Sequence, residues 1–292
     1  MRPVVLIVRR ALLAALLALT SCMPPAWGAS ALLHPTRRPA PPAPAEPHED
    51  LAFTGDGGVP LRGWRFAAAA PARGVTVVWL HGIGDTRASA AWLARELTPA
   101  GFDVLAWDAR AHGESGGAAC TYGYLERRDV SRALDAAGVK RAILVGHSLG
   151  AAVALQAAAE DPRVVGVVAV SAFSDLATIA RDRAPWFASD AEIREAFRIA
   201  EREAGLVVAE TSPILSAPRI HAAVLLVHGA LDRDTLPEHS RRILAALAGP
   251  KELRLLPGVG HNEAFGAAWP GIRSWLEALA PAGALTAPSR TP

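Results

Sequence analysis

The sequence predicts an α/β architecture: a mainly parallel, doubly wound sheet with a short helical lid inserted. Three observations point to it. Short runs rich in Val and Leu recur along the chain. They are apolar throughout rather than alternating, as strands buried on both faces are. Stretches of helical length separate most of them, and parallel neighbours need such crossovers. With 292 residues, of which 51% are hydrophobic and 20% charged, the chain can bury a large core and is not disordered throughout.

The first residues read as an address. Arg2, Arg9 and Arg10 precede the unbroken apolar run Ala11–Leu19. A basic region followed by a short apolar one is the pattern of a bacterial secretory signal. The run falls short of the roughly 20 residues that span a bilayer. The twin arginines Arg9-Arg10 also fit export in the folded state. Leu19-Thr20-Ser21-Cys22 resembles a lipobox, which implies cleavage before Cys22 and lipidation of its thiol. Cleavage after Ala26-Trp27-Gly28 is the rival reading. Residues 1–21 are thus expected to be a signal peptide and 22–50 a Pro-rich tether. Pro35, Pro39, Pro41, Pro42, Pro44 and Pro47 favour an extended, solvated chain there.

The body is expected over 51–280. Leu51–Thr54 and Leu61–Phe66, joined by Gly55-Asp56-Gly57-Gly58, read as a strand pair with a turn. Buried-strand runs follow at Val75–Leu80, Phe102–Trp107, Ala142–Val145, Val164–Val170, Val224–Val227 and Leu253–Leu256. Helical patterns cover Ser89–Ala100, Tyr124–Ala137, Leu149–Glu160, Glu238–Ala248 and about Glu263–Leu279. The interval after Val170 is too long for a simple crossover. Within it Ser189-Asp190-Ala191-Glu192 is a capping box, and Ile193, Ala196, Phe197 and Ala200 share one helix face. Residues of about 176–215 are therefore read as a lid over one sheet edge. From 281 to 292 a flexible tail is expected.

Composition removes other classes. The 30 basic residues, all arginine but Lys140 and Lys251, are interspersed with 28 acids, so charge gives no footprint for nucleic acid. Two cysteines, Cys22 and Cys120, are too few for a disulfide scaffold or a four-cysteine metal site. Cys120 reads as a packed small side chain. His228, Asp232, Asp234 and His239 match no strong metal template. No G-x-G-x-x-G follows a strand, so no dinucleotide cofactor is expected.

The chemistry sits at strand ends. Gly146-His147-Ser148-Leu149-Gly150 lies between an expected strand and an expected helix, the context that G-x-S-x-G requires to expose a nucleophilic serine. Here the chain resembles the α/β-hydrolase fold family, in particular its small serine esterases and lipase-like members, over roughly residues 50–280. Further stations match in order. His81-Gly82-Ile83-Gly84 resembles the oxyanion loop, which implies the backbone N–H groups of Ile83 and Leu149 as oxyanion donors. Asp108-Ala109-Arg110-Ala111-His112-Gly113-Glu114-Ser115-Gly116 is similar to a loop that is mainly structural. His228-Gly229-Ala230-Leu231-Asp232 is similar to the site of the acid, with Asp234 as a rival. Thr235-x-x-Glu238 reads as a second capping box. Pro257-Gly258-Val259-Gly260-His261 resembles the loop of the base. The order Ser148, Asp232, His261 is the order of that family.

The resemblance implies a hydrolase that cleaves a carboxylic ester, or related acyl compound, through an acyl-enzyme. Peptidase or acyltransferase activity is the alternative on the same fold. A non-catalytic surface lipoprotein is the alternative of another class. Expected partners are a small acyl substrate and, through the Cys22 anchor, the membrane of a bacterial envelope. No cofactor and no nucleic acid are expected.

Overall fold

The computed structural model describes residues 24–39, 42–69 and 71–281. Cys22, the signal-like segment 1–21 and residues 282–292 lie outside them. Eight strands form one sheet: β1 Glu49–Thr54, β2 Pro60–Phe66, β3 Thr76–Leu80, β4 Asp103–Trp107, β5 Ala142–His147, β6 Val164–Val170, β7 Ala223–Gly229 and β8 Lys251–Leu256. Their order across the sheet is β1-β2-β4-β3-β5-β6-β7-β8. The pairs β1–β2 and β2–β4 are antiparallel and every other pair is parallel. The expected architecture holds, with a hairpin added at one edge.

The apolar runs become central strands because both faces need covering. Successive strand side chains point to opposite faces. Val78 and Leu80 enter one core, and Val77 and Trp79 the other. Along β6, Val167 and Ala169 go one way, Val168 and Val170 the other. The helices that cover them are α1 Pro25–Leu33, α2 Ala90–Leu97, α3 Glu126–Ala136, α4 Leu149–Ala158, α5 Leu176–Arg183, α6 Asp190–Ala204, α7 Pro213–Ser216, α8 Glu238–Ala246 and α9 Ala264–Leu279. Helices α2 and α9 cover the second face, and α3, α4 and α8 the first. Helix α4 is buried along its whole length, which its apolar sequence allows on every side.

The interval after β6 holds α5, α6 and α7. The capping box at α6 is formed: Ser189 Oγ accepts from the Glu192 N–H, and the Glu192 carboxylate accepts from the Ser189 N–H at 2.7 Å. The second expected box is not. Helix α8 starts after Pro237 without a side-chain cap. Thr235 is taken instead by the loop before it, its N–H donating to Asp232 Oδ1 at 2.8 Å.

The segment expected to be a solvated tether is held against the body. Pro25–Leu33 is helical, with Ala29 and Leu33 fully buried against the lid side of the core. The extended chain after it is pinned too. Arg37 donates to the carbonyls of Gly113, Ser115 and Gly117. Extended proline-rich backbone leaves its carbonyls and neighbouring side chains free to bond, and here a neighbouring loop supplies the acceptors.

Candidate active site

Ser148 caps β5 and opens α4. Its φ is 52° and its ψ −113°, a strained pair for a residue with a Cβ. Such strain costs about 1–3 kcal/mol and is kept where surroundings impose it. The flanking glycines impose it. A Cβ on Gly146 would meet the backbone of Gly150, and one on Gly150 would meet the Leu80 carbonyl. The turn therefore closes only with glycine at both places, and it lifts Ser148 out of the strand. Ser148 is 6% exposed and lines a polar cleft of about 650 Å³, together with Ile83, His147, His261, Asp234 and Asn262.

His261 lies on the loop after β8, and Asp232 on the loop after β7. The structure joins them: His261 Nδ1 donates to Asp232 Oδ2 at 2.7 Å. Asp232 is the aspartate that pairs, and Asp234 is not. Asp232 is 2% exposed. Burial alone would raise its pKa. Hydrogen bonds from His228, His261 and the Thr235 N–H outweigh that and hold it far below the usual carboxylate range. The N–H of Asp234 adds a bond to Oδ1 at 3.0 Å. The acid is thus kept ionised, with both oxygens engaged by donors.

Two histidines, His228 and His147, brace this pair, and a third, His81, braces the loop after β3. His228 Nε2 lies 2.8 Å from the Thr235 carbonyl and 3.3 Å from Asp232 Oδ2, so it carries a proton toward both. Its Nδ1 takes the Ser240 hydroxyl at 2.6 Å. His147 Nε2 donates to the His261 carbonyl at 3.1 Å, and the two rings stand 4.9 Å apart. Burial lowers the His147 pKa, which favours the neutral ring beside His261. His81 acts on the loop after β3. Its Nε2 accepts from the Ala109 N–H at 3.0 Å, so the proton sits on Nδ1, 2.8 Å from the Gly82 carbonyl. A trans peptide points its C=O and N–H in opposite directions. Holding the Gly82 carbonyl therefore aims the Ile83 N–H the other way. Burial lowers the His81 pKa and preserves this tautomer. The Leu149 N–H is the first of α4 and has no acceptor within the helix. The only sequence signal for these roles is adjacency to the motifs.

Asp108 and His112 sit where a structural role puts them. Asp108 is fully buried and bonded by Arg87 and by the N–H of Glu114. His239 lies apart from the loop of Asp232, bonded through Nδ1 to the Ser174 N–H at 3.1 Å and through Nε2 to Asp182 at 3.1 Å. Among the described residues, Asp232, Asp234 and His261 place one ligand atom each within 4.8 Å of one another. A carboxylate has about four lone-pair sites. Four donors already face that of Asp232, which leaves no lone-pair site there for a cation.

An open α/β sheet with a strained serine after its central strand, and a His–Asp pair on later strand-end loops, defines a class. The chain belongs to the α/β hydrolase fold family, whose model matches residues 75–213. An uncharacterized protein of Mycobacterium tuberculosis is 30% identical over 221 residues, covering 73% of this chain and 72% of its own. Among solved structures, the esterase Pf2001 of Pyrococcus furiosus superposes with a TM-score of 0.66 at 23% identity, over 84% of this chain and 97% of that one. A monoacylglycerol lipase of Paleococcus ferrophilus gives 0.59 at 25% identity, over 75% and 99%. Fold and relatives support a hydrolase.

Proposed function

We propose that this protein is a serine hydrolase that cleaves a carboxylic ester, or a related acyl compound, through Ser148, His261 and Asp232. The observation that carries the reading is the 2.7 Å bond from His261 Nδ1 to an ionised, buried Asp232, on the cleft that also holds Ser148 at its strained turn. That bond fixes the His261 tautomer with Nε2 unprotonated and available. Nε2 takes the Ser148 Oγ proton as Oγ attacks the acyl carbon. The N–H groups of Ile83 and Leu149 face the oxygen that becomes negative. Collapse expels the alcohol, which takes the proton from His261. Water then repeats the sequence on the acyl-enzyme. Asp232 stays ionised and stabilises the imidazolium that forms twice. Kinship with an archaeal esterase and a lipase favours an ester over an amide. The signal-like N-terminus and Cys22 support export to a bacterial envelope with a lipid anchor.

Fluorophosphonate labelling followed by a panel of esters, thioesters and peptides tests the reading. Labelling should be lost in Ser148→Ala, and ester turnover should fall by at least 10³-fold. Labelling that persists in Ser148→Ala would place the nucleophile elsewhere.

A further inference from the structure

Two spaces of opposite character meet at Ser148. One is the polar cleft. The other is walled by the lid and adjoins the cleft at Ile83, Ser148 and Arg183. It begins as a small cavity of about 50 Å³ walled by Leu149, Phe173 and Leu176 beside Ser148. It continues into an outer cavity of about 320 Å³. Leu32, Ile83, Tyr122, Ala180 and Arg183 line both, so the two form one channel. The outer part is walled by Ile193 and Phe197 of α6 on one side and by Gly28 and Ala31 of α1 on the other. Arg183, the cation among the shared residues, is turned out of the channel. Its Nε donates to the Asp234 carbonyl at 2.8 Å and its Nη2 to Thr235 Oγ1 at 3.1 Å, both on the loop of Asp232. The head group so marks the border between the polar and apolar spaces.

Helix α1 is fixed as a wall. Tyr122 Oη donates to the Leu32 carbonyl at 3.0 Å, and the Cys120 N–H to the Leu33 carbonyl at 2.9 Å. His34 reaches Glu203 of α6 at 2.9 Å. Tyr122 itself sits at φ 55°, a conformation that the loop must impose on it. These bonds join a segment from near the chain's start to the loop after β4 and to the lid.

Resting on Ser148 as the nucleophile, we propose that α1 is a specificity-determining wall of the substrate site. The acyl chain of the ester runs from Ser148 past Leu32 and Tyr122 into the outer cavity, and the alcohol lies in the polar cleft. A dry cavity of about 150 Å³ holds a six-carbon benzene. By that measure the channel, about 50 and about 320 Å³ in its two parts, takes an alkyl chain of roughly fifteen carbons. Each methylene buried there raises reactivity about fourfold until the space is full.

The test uses fluorophosphonates of one warhead with ethyl, octyl and octadecyl chains, on the full-length protein. Each reacts by forming an Oγ–P bond with loss of fluoride, the Oγ proton passing to His261. Second-order labelling constants should rise at least tenfold from ethyl to octyl. Ala31→Trp fills the channel from α1 and should cut the octyl-to-ethyl ratio at least tenfold. Phe197→Ala widens it from α6 and should raise the octadecyl-to-octyl ratio, which keeps the test alive if the tryptophan disturbs folding. An equal rate for all three probes, or ratios unmoved in both variants, overturns the channel. No labelling of the wild type by any probe overturns the nucleophile reading on which the channel stands.

Discussion

Asp232 and Asp234 are two residues apart and differ in what surrounds them. Asp232 is buried under donors from His228, His261 and two backbone N–H groups, whereas Asp234 borders the open cleft. Asp232→Asn replaces an acceptor with an amide that can present its NH₂ to His261, and so spoils the tautomer. kcat should fall on the order of 10⁴-fold. Asp234→Asn keeps its backbone bonds and should change kcat by less than about threefold. Steady-state kinetics on the best ester decide it, and the reverse ranking would sink the assignment. Ser148, Asp232 and His261 were legible in the sequence because each ends a strand run and sits in a local motif. His81, His147 and His228 were not. Their work is done through atoms brought from elsewhere, such as the Ala109 N–H, the His261 carbonyl and Ser240 Oγ. Spacing along one chain does not encode those meetings.

The loop after β4 carries a cost at acid pH. His112 is fully buried, with Nδ1 donating to the Arg110 carbonyl at 2.9 Å and Nε2 unbonded among the described residues. Burial, then the charge of the neighbouring His81, lowers its pKa from 6.5 to about 4, against weaker opposite pulls from Glu126 and Asp108. Between those two values the unfolded chain binds a proton that the folded chain does not. Stability must therefore fall as pH drops from 6.5 toward 4, by about 3 kcal/mol across the window, and level off below it for this group. Urea unfolding at stepped pH should show that slope, and His112→Asn should flatten it by about one proton while keeping a donor for the Arg110 carbonyl. A slope unchanged in the variant would move the cost to another group. Among elements, the strands and most helices were legible because apolar runs of strand length and helical periodicity are local signals. Helix α1 was not. Its Ala29 and Leu33 stand one helical turn apart and Pro25 opens it well, but proline-rich sequence on its C-terminal side and a signal-like segment on its other side dominate the pattern. What makes it a helix is the core surface that the lid and the loop after β4 offer it.

At the scale of the molecule, that helix links the proposed export route to the proposed chemistry. A cut before Cys22 keeps Pro25–Leu33 whole. A cut after Gly28 removes the first turn of the helix and one lining residue of the outer cavity. Among the described residues no helix is long and apolar enough to cross a membrane. The proposed lipid on Cys22 would supply the attachment. Two residues, Met23 and Pro24, lie between Cys22 and Pro25, so the reach over three Cα–Cα steps is at most about 10 Å when extended. Lipid on Cys22 would hold the N-terminal end of α1, and with it the outer cavity, close to the bilayer surface. Trp27 on α1 and Trp186 beside α6 are 70% and 95% exposed, and tryptophan favours the headgroup region. An acyl substrate drawn from the membrane would then have a short path to Ser148. The prediction is that the mature protein begins at a diacylglycerol-modified Cys22, fractionates with membranes, and becomes soluble in Cys22→Ala. More than one acyl chain makes such attachment stable, since each buried methylene contributes about 0.8 kcal/mol. Mass spectrometry of the mature N-terminus reads the outcome directly. An unmodified N-terminus at Ala29 would remove the anchor and the first turn of α1 together, and the preference for long acyl probes should weaken with them.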